Sequence, residues 1–236
     1  MSFEDSYDDG DPQPGADDGI AVEEPLPPDP VADLETAPGL DGSPPATAPA
    51  PEATTGPDDT AGWHEQQATH SCAVVSQEFL LDRFTGVDHT EEELAAVAEA
   101  HGWYRPGVGT PLDDVGNLLE YYDVPVERSQ GESLDSLASA LSAGEGVLVA
   151  LDSDELLAAD PESLELADAA GIPDQGADHV VQVIGFDRSD PDDPRVVLND
   201  PGRPDGAGLE VPEADFLRAW DDSQRLTVTA GGNRHA

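Results

Sequence analysis

The sequence predicts an α+β domain, a helical N-terminal half packed on an antiparallel sheet, preceded by a disordered acidic arm. Three observations predict it. The first is a composition break near Gly62: everything before it is rich in Pro, Ala, Asp and Glu, has only Phe3 and Tyr7 as aromatic residues and carries no basic residue. Such a stretch buries too little apolar surface to offset the entropy of ordering it. Residues 1–61 therefore read as an arm, 62–231 as the domain and 232–236 as a short disordered tail. The second is helical periodicity between 72 and 122, and the third is a set of short β-branched runs after 146. Helices first and strands later is the α+β order.

The elements follow in chain order. Cys72 to Phe84 carries apolar residues at 75, 79, 80 and 84, a helical spacing, with Ser71 available as N-cap and Thr85-Gly86 as its stop. Thr90 and Glu93 read as a capping box opening a second helix to about Ala100, ended at His101-Gly102. Thr110, Pro111 and the acids Asp113 and Asp114 predict a third helix reaching Tyr122. Gly-Val-Gly-Thr at 107–110 lacks the lysine and the spacing of a phosphate loop and reads as the turn feeding that helix. Val124–Arg128 predicts a short strand, Ser133–Leu141 an amphipathic helix and Gly146–Leu151 a buried strand. His179–Phe186, Arg195–Leu198 and Arg225–Thr229 are expected strands of one antiparallel sheet, and Pro212–Trp220 a late helix. The acidic insertion Asp152–Ala177 reads equally as a lid beside the site or as a surface helix and linker.

Charge excludes several functions. With 52 Asp+Glu against 9 Lys+Arg and a net charge of −43, nucleic acid is not an expected partner, because phosphate binding relies on clustered basic side chains. An anionic membrane is disfavoured for the same reason. A basic peptide is the kind of substrate such a surface attracts at low salt. No apolar run approaches the ~20 residues of a membrane span, and the N-terminus lacks the basic start and apolar core of a signal peptide. A cytoplasmic location is expected. A single cysteine excludes an intramolecular disulfide and a Cys-only zinc site. The spacing of His64, His70 and Cys72 matches no metal pattern, and no metal or other cofactor is expected.

That single cysteine is the most informative residue. Cys72 sits at the start of a predicted helix, where unpaired N–H groups and the positive end of the dipole stabilise a thiolate. Gln66, six residues earlier, is placed to donate its amide to a developing oxyanion, with Gln67 as the alternative. His179 opens one predicted strand, and Asn199 and Asp200 end the next. Antiparallel pairing brings them to one edge, where either would accept the second imidazole N–H. An imidazole beside a thiol activates it by taking its proton. Trp63, Trp103 and Tyr104 are candidates for lining a cleft that grips an extended peptide, ordinary packing being the alternative.

Three blocks carry a resemblance: Gln66 six before Cys72, Ala177-Asp178-His179 with the apolar run after it, and Asn199-Asp200-Pro201-Gly202 behind Val-Val-Leu. In this order, over residues 63–230, they resemble the papain-like bacteriocin-processing peptidases, family thirty-nine of the clan-CA cysteine peptidases, and their stand-alone relatives. The resemblance implies a papain-like fold, with Cys72 as nucleophile, His179 as general base and acid, Asp200 as orienting carboxylate and Gln66 as oxyanion donor. It implies a peptide or protein substrate and no cofactor. Ala73 stands where many relatives have glycine. The expected activity is hydrolysis of a peptide or isopeptide bond through an acyl-enzyme. The alternative is a peptide-binding or chaperone-like module that keeps the cleft without turnover. Oligomeric state is left open.

Overall fold

The computed structural model describes residues 60–156 and 176–231. The expectations for residues 1–59 of the arm, for 157–175 of the insertion and for the tail fall on residues outside that range. Helices come first: α1 (Cys72–Thr85), α2 (Glu91–His101), a 3-10 turn (Leu112–Asp114) and α3 (Asn117–Tyr121). Then follow β1 (Val126–Ser129), α4 (Leu134–Ser142), β2 (Gly146–Leu151), α5 (Ser153–Leu156), β3 (His179–Asp187), β4 (Arg195–Asn199), β5 (Ala207–Pro212), α6 (Glu213–Asp221) and β6 (Thr227–Ala230).

Among the described residues, six strands form one antiparallel sheet in the order β1-β6-β2-β3-β4-β5. Strand β2 shows why the sheet is covered on both sides. All of Gly146 to Leu151 is buried, and successive side chains of a strand point to opposite faces. A run without polar positions therefore needs apolar cover above and below. Leu148 and Ala150 join Val74, Leu80, Leu94 and Leu119 of the first three helices. Val147, Val149 and Leu151 join Leu137 of α4 and Phe216 and Trp220 of α6. The Trp220 indole, fully buried, donates to the Leu226 carbonyl at 3.1 Å, the partner a buried indole N–H requires.

Thr90 caps α2, its Oγ1 accepting the Glu93 amide at 3.3 Å, and Ser133 caps α4 in a reciprocal box with Ser136. Three local features depart from expectation. Ser71 does not cap α1, because its hydroxyl lies 2.7 Å from Glu91 instead. The third helix does not run from Thr110 to Tyr122 but breaks at Gly116, which has a φ of 97°. The Gly116 and Leu118 amides donate to Oε1 of buried Gln77, at 2.9 and 3.2 Å. A Cβ at Gly116 would lie 3.0 Å from Val126, so the left-handed backbone and the close approach of β1 both favour glycine there. Strand β5 is not announced by its sequence pattern: Ala207-Gly-Leu-Glu-Val-Pro212 has little β-branched content, yet it pairs along all of β4. Among the described residues, no helix is long and apolar enough to cross a membrane.

Candidate active site

Cys72 is the first residue of α1 and is 8% exposed. One turn further along, the Ser76 hydroxyl donates to the Val180 carbonyl at 2.9 Å, which ties the cysteine-bearing helix to the strand that His179 opens. Strand β3 pairs with β4 through Gln182 and Asn199, so His179 and the residue after Asn199 meet at one end of the sheet. His179 Nε2 lies 2.6 Å from Asp200 Oδ1. With Nε2 committed to Asp200, Nδ1 is the ring nitrogen left for Cys72, whose sulfur is among the groups that hold the ring's proton. Asn199 is turned elsewhere: its amide donates to Gln182 Oε1 at 2.9 Å and its Oδ1 accepts the Gly208 amide at 3.3 Å.

The electrostatics follow from this arrangement. Burial opposes charging of the His179 ring, but hydrogen bonds to Asp200 and Cys72, and the charge on each, outweigh it and raise its pKa to about 10. Burial likewise pushes the Asp200 carboxyl up. The His179 bond and charge and the Gly202 amide, 2.8 Å from Oδ1, override it and hold the group below its usual range. The result favours an imidazolium between a carboxylate and the sulfur.

The turn after Asp200 leaves little room. A Cβ on Gly202 would lie 2.9 Å from His179 Cε1, and one on Gly206 would collide with the Asp200 carbonyl. A cavity of about 280 Å³ opens over Cys72, His179 and Asp200, bounded by Gln66, Thr69 and Arg203. A second, of about 390 Å³, is lined by Ala73, Val108, Gly109, Thr110, Leu112 and Val180. Both touch His70, Cys72, Asp178 and His179, so these four residues stand where two arms of a cleft adjoin.

Residues 62–228 match the Peptidase_C39 like family. The chain belongs to this family. Uncharacterized proteins of Mycobacterium tuberculosis and Mycobacterium bovis are 26% identical to this C39-like chain over 192 residues, covering 71% of it and 79% of each relative. A C39-like protein of Bacillus anthracis is similar in structure at a TM-score of 0.52 and 16% identity, over 76% of this chain and 98% of that one. Digestive procathepsin L 3 of the Tenebrio molitor larval midgut is similar at a TM-score of 0.51 and 15% identity, over 79% and 71%. These likenesses establish an α+β fold of the papain and C39-like kind, N-terminal helices packed on an antiparallel sheet.

The remaining residues singled out from the sequence divide. In the C39-like chain, Gln66 lines the cleft beside Cys72. One N–H of its amide goes to the Ala68 carbonyl at 3.0 Å, and the amide carries a second. Gln67 is exposed. The three aromatic candidates line neither arm of the cleft. The Trp63 indole donates to the Asp200 carbonyl at 3.0 Å. Tyr104 is 3% exposed in the helical core, and Trp103 stacks on His101 at 4.4 Å and 18°. The reason is local: after the left-handed Gly102, the amides of Trp103 and Tyr104 bond back to the Ala98 carbonyl and fold both rings against α2 and α3. Asp178, exposed and shared by both arms, was open to notice only as the neighbour of His179. Its carboxylate accepts the Ser153 amide at 3.0 Å. Among the described residues, no group of three or more His, Cys, Asp or Glu side chains is placed to hold a metal ion.

Proposed function

We propose that this C39-like protein is a cysteine hydrolase that cleaves a peptide or isopeptide bond through an acyl-enzyme, with the catalytic domain spanning 62–231. The observation that carries the reading is the buried His179–Asp200 hydrogen bond, 2.6 Å long, beside the chain's only cysteine. The Cys72 sulfur attacks the substrate carbonyl carbon, and the C=O electron pair moves onto oxygen. The second N–H of the Gln66 side chain and the Cys72 backbone N–H donate to that oxyanion. His179 Nδ1 then gives its proton to the leaving amine as the C–N bond breaks, leaving a thioester. A water, deprotonated by the same nitrogen, attacks the thioester and releases the acid and the thiol. Asp200 holds the ring so that Nδ1 faces the sulfur and stabilises its positive charge. The two arms of the cleft give an extended chain a path on either side of the scissile bond.

The test is alkylation of Cys72 by iodoacetamide in the full chain, compared with His179→Ala and Asp200→Ala. The parent is expected to react rapidly near neutral pH, and His179→Ala to slow it by at least ~10-fold, since the imidazole is the activating base. A peptide-library search with the reactive parent then identifies the substrate. A thiol that reacts only on unfolding overturns the hydrolase reading and leaves a module that binds peptides without turnover.

A further inference from the structure

Glu91 opens α2 and is 4% exposed, although Glu92 and Glu93 beside it are exposed. Its carboxylate faces the loop that leads into Cys72. Oε2 accepts the Gln67 amide at 2.7 Å, and Oε1 accepts the Ala68 amide at 2.9 Å and lies 2.7 Å from the Ser71 hydroxyl. That hydroxyl shares its single proton with the Ala68 carbonyl, also at 2.7 Å. The same carbonyl receives the Gln66 side-chain amide. The loop needs such a hold, because His70 has a φ of 66°, a left-handed conformation that a non-glycine residue keeps only where its surroundings over-determine it. The carboxylate also sits at the positive end of α2, which suits its charge.

We propose that Glu91 is a positioning residue for the oxyanion site: its carboxylate fixes the Gln67–Ser71 loop so that the Gln66 amide and the Cys72 backbone N–H converge on one point. The proposal rests on the hydrolase reading above. His179 and Asp200 are held by β3 and the turn after β4, so loss of Glu91 leaves the activating pair in place and removes the oxyanion donors.

Two reactions of the same sulfur separate these effects. Iodoacetamide loses iodide from a saturated carbon and forms no oxyanion. With p-nitrophenyl acetate the sulfur attacks the ester carbonyl, a tetrahedral oxyanion forms and collapses, the C–O bond breaks, and p-nitrophenolate leaves an acetyl thioester on Cys72. Glu91→Gln keeps the shape of the side chain but sets an amide N–H against a backbone N–H. In the full chain it is expected to slow acylation by about 10-fold or more while alkylation between pH 6 and 8 stays within about threefold. Ser71→Ala, which removes the hydroxyl shared between Glu91 and the Ala68 carbonyl and keeps the carboxylate, gives a smaller loss of the same selectivity and decides the matter if Glu91→Gln loses its helical signal. Combining Glu91→Gln with Gln66→Ala is expected to slow acylation no further than the more damaging single change. Equal slowing of both reactions in folded protein, or slowing of neither, overturns the proposal and leaves the hydrolase reading standing. A parent whose Cys72 reacts with neither reagent overturns the reading on which the proposal rests.

Discussion

The indole of Trp63 donates to the backbone carbonyl of Asp200 at 3.0 Å, across 137 positions of sequence. Three residues on, the backbone N–H of Gln66 donates to the Pro201 carbonyl at 2.8 Å. The segment leading to Cys72 is thereby latched to the turn that presents Asp200. Trp63→Phe keeps most of the ring area and removes the donor. It is expected to lower stability by about 1 kcal/mol, the net value of such a bond, seen as a lower urea midpoint with an unchanged slope. An unmoved midpoint would show the latch to be energetically empty.

Gly202→Ala tests the space around the imidazole. Its Cβ would lie 2.9 Å from His179 Cε1 and 3.2 Å from Asp200 Oδ1, so the ring must shift from the carboxylate. Alkylation of Cys72 is expected to slow by about 10-fold, with a stability loss near 1 kcal/mol because the position itself is exposed. A parent-like rate would mean that the turn yields and the ring does not.

The His179–Asp200 pair also ties stability to pH. His179 binds its proton more tightly folded, with a pKa of about 10, than unfolded, at 6.5. The stabilisation this gives is complete below about pH 6.5 and is lost as pH rises through 10. Asp200 behaves in the opposite sense, with a folded value below 3.8, so its share is present above that pH and is lost as pH falls through the lower folded value. The difference in unfolding midpoint between the parent and Asp200→Asn should be widest between about pH 4 and 6.5 and shrink toward pH 10. A difference that stays constant across this range argues against the linkage.

A second pair joins buried Glu78 of α1 to the partly exposed His64. Glu78 Oε1 is 3.1 Å from His64 Nε2, while Oε2 is buried without a hydrogen-bond partner among the described residues. Burial raises the Glu78 carboxyl to about 7 despite the opposing charge of His64. For His64, burial lowers the pKa, but the Glu65 carbonyl and Glu78 prevail and raise it. Both groups hold their protons more tightly in the folded state, so stability falls as pH rises, for Glu78 between 4.5 and 7. Glu78→Gln should flatten the stability curve across that window and exceed the parent at pH 8 by on the order of 1 kcal/mol. Parallel curves for the two proteins would rule this out.

Much of the candidate site is legible in the sequence because its chemistry demands particular residue types in a particular order. Cys72 before an apolar helix, and His179 at the head of a β-branched run, can each be read locally. What cannot be read locally depends on one distant side chain at a time. Gln182, across the strand pair, captures Asn199 and leaves Asp200 for the histidine. Gln77 captures the Gly116 and Leu118 amides and breaks a helix that its caps and acids otherwise favour. The aromatic and glycine-rich loop at 103–110 reads the same whether its rings face a cleft or the core, and the turn at Gly102 decides. Glu91 is hidden for a similar reason: three consecutive glutamates look like a solvated helix start, and nothing in the run says that the first of them is buried.

The position of β6 between β1 and β2 sets a schedule for synthesis. A ribosome releases β1 and β2 early, but neither has its shared neighbour until Thr227–Ala230 emerge, and pairings this distant in sequence form slowly. Val228 and Ala230 belong to the same packed layer as Val74 and Leu80 of α1, so the core beneath the helix carrying Cys72 is complete only once that strand exists. On the hydrolase reading, the helix that bears the nucleophile rests on an unfinished core until nearly all of the domain has been made.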